Sequence, residues 1–531
     1  MVSGNNSDLR SAVTRRTLLK QLGMAAGVGL TGVSALSGSA AAESAFGQES
    51  FTTERIEIES FDGTTLVTTL YLPDDSGPNP CILSTHGWGG QRQDREPMAS
   101  MYASNGYVVL TYDSRGFGES EGQVTSTGPN EQRDAQHLIS WLAGRDEVMT
   151  DGEENPRIGM DGYSYGGGIQ MRTASEDDRL DALIPRWVWH DLSYALSPNG
   201  VLKTGWTIPL QLSGENNGNI SPELTQRTAE YQQRGYFDEE DIEYYQSRSA
   251  ETRIQDIDTP ALFISGWHDR LFWPNEALMN LRGLQENDVD ARLLLTNVGH
   301  YLPGLEYTQT ELQFRAQAAV SWMDYHLRDG PEPDLSTITY YRDESDSFTG
   351  VDQFPPSDAS MQSFELNDGI AGDNFWVVSR PGEDEDVSSP FAAGETRQFE
   401  FPVEEDMEII GTPTLTTTVG PINTDDGRVD LFFGLEDVAP DGSSTLIKDQ
   451  VMALNVQEVG QIEQDLVSVQ RNIDAGHTLR LSVTVVDDNL TDIPADYIPS
   501  ALFDDSSRTT SAVLLDTADQ TSTLEVPMRP R

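Results

Sequence analysis

Apolar and polar positions change rhythm several times along this chain. From Glu54 they alternate, in "RIEIES" and "TTLVTTLYLP", which predicts two short strands joined by a turn at Asp62-Gly63. The apolar run of "PCILSTHGWGG" predicts a buried strand entering a glycine-rich loop, and Tyr107 to Tyr112 predicts the next strand, ahead of a second glycine-rich loop, "DSRGFGES". Helical spacing follows in "NEQRDAQHLISWLA", then the strand "RIGM". After a break, strands recur in "PALFISGWHD" and "ARLLLTNVGH", with helices in "NEALMNLRGL" and "ELQFRAQAAVSWMDYHL". Strands separated by helices at this spacing predict a mostly parallel sheet with crossover helices.

The break, about residues 187 to 253, is rich in Tyr, Gln, Asn and Glu and carries short helical pieces such as "ELTQRTAEYQQRG". It predicts a helical cap inserted over the sheet. At "RDGPEPD" the long helical patterns stop, and alternating segments such as "TPTLTTTV", "VDLFFGLEDV" and "HTLRLSVTVV" take over to the end. These predict an all-β sandwich. The expected division is therefore 43–330 for the sheet with its cap, and 331–531 for the sandwich.

Residues 1–42 read as an address. "TRRTLLK" precedes a short apolar run rich in Gly and Ala, then the small residues of "SGSAAAE". Twin arginine, apolar core and small-residue cleavage site are the order of a Tat export signal. The apolar run is short and glycine-rich for a membrane span, so none is expected once the signal is removed. Charge adds a setting: 87 acidic residues stand against 34 basic ones, a net of −53, and only Lys20, Lys203 and Lys448 are lysines. The acids are spread through the chain, which reads as adaptation to saturating salt, where screening over roughly 3 Å or less removes self-repulsion. Such a charge excludes nucleic acid as an expected partner, since phosphate contacts need a basic face. The single cysteine, Cys81, lies in an apolar strand and reads as a buried structural thiol.

The candidate chemistry lies in "RIGMDGYSYGGGIQ". Gly162-Tyr163-Ser164-Tyr165-Gly166 matches G-x-S-x-G, after a strand and before a helix. In that context the serine occupies a strained turn that lifts its hydroxyl above the sheet. Serine needs a base. Of seven histidines, His137 lies within a predicted helix, His326 ends one, and His477 is in the β region. His86 precedes the first glycine loop, His190 enters the cap and His268 neighbours Asp269. Only His300 follows a late sheet strand, where the base is expected. The orienting acid belongs at the end of the strand before it, which selects Asp269 over Asp258 at the opposite strand end. Ser164, Asp269 and His300 stand in α/β-hydrolase order. The amide of Tyr165 is one expected oxyanion donor, and that of Trp88 or Gly87 the second. Asp113 and Arg115 are expected to form a structural ion pair in the second glycine loop. No cofactor is expected. No metal is either, because H-E-x-x-H and paired His/Asp spacings are missing from the sequence.

"GMDGYSYGGGIQ", "DSRGFGESEG" and "GWHD" together resemble the Xaa-Pro dipeptidyl-peptidase and cocaine-esterase-like (CocE/NonD) hydrolases. The likeness continues through "WMDYHLRDG" and "GTPTLTTTV" into the β region, and covers nearly all the chain beyond the signal. It implies an α/β-hydrolase with a helical cap, followed by a jelly-roll sandwich of the galactose-binding-like kind. It also implies Ser164 as nucleophile, Asp269 as orienter and His300 as base. The chain departs where the esterases supply an oxyanion donor from a tyrosine in a Pro-Tyr loop. Here "THGWGG" replaces it, so a backbone donor or the Trp88 indole must serve.

The expectation is an exported serine hydrolase acting on ester or amide bonds of a small acyl substrate. An Xaa-Pro dipeptidyl-peptidase is the alternative, with an amine-binding carboxylate sought in cap segments such as Glu239 to Tyr245. A non-catalytic carbohydrate- or surface-binding protein is a third reading. "PRWVWHDLSYAL" serves equally well as pocket lining or as core under the cap. The sequence leaves the oligomeric state open.

Overall fold

The computed structural model describes residues 50–74, 77–300, 305–366, 374–379, 397–422, 428–485, 511–516 and 521–531. The export segment expected over residues 1–42 lies outside them. Ten strands form one sheet: β1 (Phe51–Glu59), β2 (Thr65–Pro73), β3 (Cys81–Thr85), β4 (Val108–Tyr112), β5 (Ile158–Tyr163), β6 (Leu180–Arg186), β7 (Ala261–Gly266), β8 (Ala291–Thr296), β9 (Ile338–Arg342) and β10 (Ser347–Val351). Their spatial order is β1-β2-β4-β3-β5-β6-β7-β8-β9-β10. β2 runs antiparallel to β1 and β4, β10 runs antiparallel to β9, and the strands between are parallel.

The central strands are continuous apolar runs because both faces are covered. On one face Leu83, Phe263 and Leu293 pack with α2 (Pro129–Ala143), α3 (Tyr165–Ala174) and α8 (Pro274–Gln285). On the other, their neighbours Ile82, Leu262 and Leu294 pack with α1 (Glu96–Ser104) and α9 (Gln309–Arg328). One position along a strand therefore changes face, as the strand period requires. Between β6 and β7 the chain leaves the sheet to build α4 (Leu192–Leu196), α5 (Thr204–Asn217), α6 (Pro222–Arg234) and α7 (Glu239–Gln246). α6 starts on a Ser221 side-chain cap and ends at left-handed Gly235.

The change of pattern at Arg328–Asp334 marks the end of the last long helix and not the end of the sheet. β9 and β10 lie beyond it and extend the sheet as far as Val351. Both strands are short and β10 is only half-buried, which gives a weak sequence signal. Thereafter the chain forms a sandwich of an eight-stranded and a four-stranded sheet. Val201 and Trp273, contributed by the hydrolase and cap, belong to the sandwich core, so the two parts share buried apolar surface. Among the described residues no helix is long and apolar enough to cross a membrane.

Candidate active site

Ser164 is the single residue between β5 and α3, at φ 53° and ψ −119°. A non-glycine residue there costs on the order of 1–3 kcal/mol and persists only where its surroundings impose it. Here they do. Ser164 N–H donates to Arg186 O (2.8 Å), and Ser164 O accepts from Gly168 N–H (2.9 Å). A Cβ at Gly162 would lie 2.8 Å from the Gly166 backbone, and one at Gly166 would lie 2.7 Å from Thr85 O. The two glycines of the motif thus allow the turn to close against itself and against β3. Beneath it, buried Asp161 accepts from Arg95 (2.9 Å), Arg186 (2.8 and 2.7 Å) and Tyr102 (2.6 Å). Burial alone would raise that carboxyl, but the Arg186 and Arg95 guanidiniums outweigh it and hold Asp161 at about 2.

Asp269 lies in the loop after β7 and is fully buried. Its Oδ1 accepts from the amides of Leu271 (3.1 Å) and Phe272 (2.8 Å), and its Oδ2 accepts from His300 Nδ1–H (2.8 Å). The structure therefore brings together the acid and the base chosen from strand order. Asp258, the other acid considered, is exposed ahead of β7. The His300 ring packs edge-on to Phe272 at 4.9 Å and against Trp187 at 6.0 Å. Phe272 also lines the pocket that Ser164 opens into, so serine and imidazole share one wall. Among the described residues no hydrogen-bond partner meets Ser164 Oγ.

That pocket encloses about 710 Å³, its mouth included, and its walls are chiefly apolar: Trp88, Trp189, Leu210, Leu224, Tyr231 and Phe272 among them. Both Trp189 and Leu192 of "PRWVWHDLSYAL" reach it, while Val188 of the same segment is core. Among the described residues its one acidic lining residue, Glu215, is exposed and accepts from Gln211 Nε2 (2.8 Å). Glu239 to Tyr245 forms α7, from which only Tyr245 reaches the pocket.

The loop after β3 corrects one expectation. The Trp88 indole donates to Leu210 O of α5 (2.8 Å) and is committed to the cap, so it is no oxyanion donor. A Cβ on Gly89 (φ +71°) would strike Ser213 of α5 at 2.3 Å, so loop and cap helix interlock. The Gly87 amide faces the Tyr163 phenol and partly opposes the burial that pushes that group up to about 12. Tyr165 N–H, at the first position of α3, has no partner within the helix. His86 is structural: its Nδ1–H donates to Gly87 O (2.7 Å), its Nε2 accepts from Ser114 N–H (3.0 Å), and burial lowers its pKa.

A second expectation is also corrected. Asp113 and Arg115 do not pair. Asp113 pairs with Arg92 (2.5 Å), whereas Arg115 reaches Asp134 (2.6 Å) and Asp62 (3.1 Å). Neighbours two apart in a loop point apart, and each found a partner from another element. Cys81 is buried, and burial raises its thiol pKa. Sequence reading also missed the groups that hold the acid loop from outside. Lys203 Nζ donates to the carbonyls of Arg270 (2.9 Å) and Leu271 (3.0 Å), and Gln450 to those of Trp267 (2.7 Å) and Asp269 (3.0 Å). The rarity of lysine was the only signal available for Lys203, and Gln450 had none.

Comparison with known proteins gives this geometry a setting. A family model described as X-Pro dipeptidyl-peptidase (S15 family) matches residues 62–302, and one described as X-Pro dipeptidyl-peptidase C-terminal non-catalytic domain matches residues 333–525. The chain is 26% identical over 291 residues to a cocaine esterase of a Rhodococcus species, which covers 45% of this chain and 47% of that protein. It is 34% identical over 140 residues to the quorum-quenching protein AidA of Acinetobacter baumannii, covering 25% of this chain and 44% of that one. The matches span under half the length of these curated relatives. A CocE/NonD family hydrolase from Staphylococcus aureus shares the fold, with a TM-score of 0.70 at 18% identity over 91% of this chain and 94% of that one. With both parts matched in order and the sheet, cap and sandwich superimposable on such a hydrolase, the chain belongs to the X-Pro dipeptidyl-peptidase and cocaine-esterase-like (CocE/NonD) family of serine hydrolases.

Proposed function

We propose that this chain hydrolyses ester or amide bonds of small acyl substrates outside the cell, with Ser164 as nucleophile, His300 as base and Asp269 as its orienter. The observation that carries this reading is the Asp269–His300 contact. A carboxylate on Nδ1–H fixes the tautomer and leaves Nε2 to take a proton. As Ser164 Oγ bonds to the acyl carbon, its proton passes to His300 Nε2. The negative oxygen is met by the backbone amides of Tyr165 and Trp88. The imidazolium then gives the proton to the departing alcohol or amine, and water releases the acid by the same route.

The apolar pocket supports an uncharged acyl group. A dipeptidyl-peptidase must also hold a free ammonium, and among the described residues the only acidic one on the pocket wall is Glu215, exposed and already bonded to Gln211. That favours the esterase or acylase reading over the peptidase one, which the family model keeps as the second. Export rests on the twin-arginine segment, and a high-salt setting on the net charge of −53.

The test is hydrolysis, in molar KCl, of a short-chain p-nitrophenyl ester and of Ala-Pro-p-nitroanilide, with Ser164→Ala as control. Ester cleavage lost in the variant is the expected result. Efficient anilide cleavage would make the peptidase reading the right one. Activity surviving in Ser164→Ala would remove Ser164 from the mechanism.

A further inference from the structure

The sandwich strand Ser444–Val456 pairs with Val429–Val438, and the pairing jumps from Gly434↔Val451 to Glu436↔Leu446. Leu435 alone therefore stands opposite the stretch from Ile447 to Gln450, and the surplus is pushed out of the sandwich as a wide bulge. Two successive residues in it, Lys448 (φ 56°) and Asp449 (φ 54°), are left-handed without being glycine. Side-chain-bearing residues hold such a conformation only where the surroundings over-determine it.

What the bulge touches is the catalytic half of the molecule. Lys448 Nζ, buried, donates to Asp343 Oδ2 (2.6 Å) and lies 3.5 Å from Asn297 Oδ1, in the loop that carries His300. Asp449 accepts from His268 Nδ1–H (3.0 Å), next to the acid. Gln450 donates both amide hydrogens to the acid loop, to Trp267 O (2.7 Å) and Asp269 O (3.0 Å). Three consecutive side chains thus grip the loops of acid and base together.

They are unequal. The Asp449 carboxylate is 64% exposed, so its contact with His268 is a screened surface pair that contributes little. Gln450 is only 4% exposed. Both of its partners are carbonyls, which fixes the orientation of its amide, and its buried Oε1 has no partner among the described residues. A buried orphan acceptor is retained where the donors it accompanies are needed. Inside the loop, Asp269 is already shaped by the amides of Leu271 and Phe272. The stance of the loop on the sheet is held jointly: Trp267 N–H donates to Thr296 O (2.8 Å), His268 N–H to Asn297 O (3.1 Å), Lys203 holds the carbonyls of Arg270 and Leu271, and Gln450 holds those of Trp267 and Asp269 from the sandwich side.

We propose that Gln450, presented by this bulge, is a positioning residue of the hydrolytic reaction. It holds the backbone of the acid loop so that Asp269 aims the His300 ring at Ser164. The C-terminal sandwich, which touches no substrate in this reading, thereby takes part in the chemistry. The inference rests on the Ser164–His300–Asp269 reading above.

Gln450→Leu keeps the volume and removes both donors, and Gln450→Met does the same with a more adaptable side chain should the leucine variant fail to fold. The measurements, in molar KCl, are kcat and KM on the p-nitrophenyl ester, the rate of labelling by a fluorophosphonate, and the folded fraction. The expected result is a fall in kcat of about ten- to a hundredfold with KM within about twofold, because misaimed groups lose rate rather than binding. Fluorophosphonate labelling slows in parallel. Asn199→Ala is the control: it removes a bond to Ala453 O on the same strand without touching the acid loop, and is expected to keep wild-type kcat. A Gln450 variant that only melts earlier, with kcat per folded molecule unchanged, overturns the proposal. So does an equal loss of kcat in Asn199→Ala, which would make the effect one of general docking. A wild-type protein that neither cleaves the ester nor takes the label would sink the catalytic reading itself, and the inference with it.

Discussion

At the scale of single residues, the site depends on atoms that are missing as much as on those present. Gly166→Ala would drive a Cβ into Thr85 O and His86 O, both backbone, and neither can move without shifting β3. The expected outcome is loss of fluorophosphonate labelling, by misfolding of the turn, even with Ser164 intact. Glu276 gives a pH prediction. It is fully buried, accepts from the His190 (2.7 Å) and Asp191 (3.0 Å) amides, and has one oxygen without a partner among the described residues. Burial raises its carboxyl from 4.5 to about 7. Because the folded value lies above the free one, the native state holds the extra proton between them. Stability is fully present below the free value and is lost as pH rises through about 7. The loss is on the order of 3 kcal/mol. Glu276→Gln should leave the melting temperature unchanged near pH 4 and raise it at pH 8, and calorimetry at the two values checks this. The turn at Ser164 and the Asp269–His300 pair were legible because the end of a strand names a position in this fold. The partners of Asp113 and Arg115 were not, since ion pairing between elements leaves no spacing in the sequence.

At the scale of elements, the central strands and long helices were legible because each carries its own period over five residues or more. The short outer strands β9 and β10 were not, and neither was the bulge, since "STLIKDQVMALNV" reads as an ordinary strand until its partner strand is known. The contact between the loop after β3 and α5 is of the same kind. The Trp88 indole bonds Leu210 O, and a Cβ on Gly214 would lie 2.8 Å from the Trp88 ring. Cap and the loop after β3 are therefore one mechanical unit. Trp88→Phe keeps the ring and loses the bond, and it is expected to raise KM and lower kcat together, by about two- to threefold each, because one net hydrogen bond is worth about 1 kcal/mol. Steady-state kinetics on the p-nitrophenyl ester decide this. A change in neither constant would mean that the cap holds its place without that bond.

At the scale of the molecule, the proposed high-salt setting would screen the self-repulsion of a net charge of −53. The shared core at Val201 and Trp273 must hold hydrolase and sandwich together against that repulsion. The expected outcome is a melting temperature that climbs steeply between 0.1 and 3 M KCl and activity that is lost reversibly on dilution into low salt. Equal melting temperatures at both salt concentrations would refute the high-salt setting. The same composition has a consequence for handling the protein. Once the expected export segment with Lys20 is gone, Lys203 and Lys448 are the only lysines, and both amines are buried against backbone or carboxylate partners. Apart from its N-terminus, the folded enzyme should therefore be inert to succinimidyl esters and to glutaraldehyde. Coupling to a resin through lysine side chains will fail unless a lysine is added. By the same token, acylation of these two residues becomes a chemical clock for opening of the loops around the acid and the base.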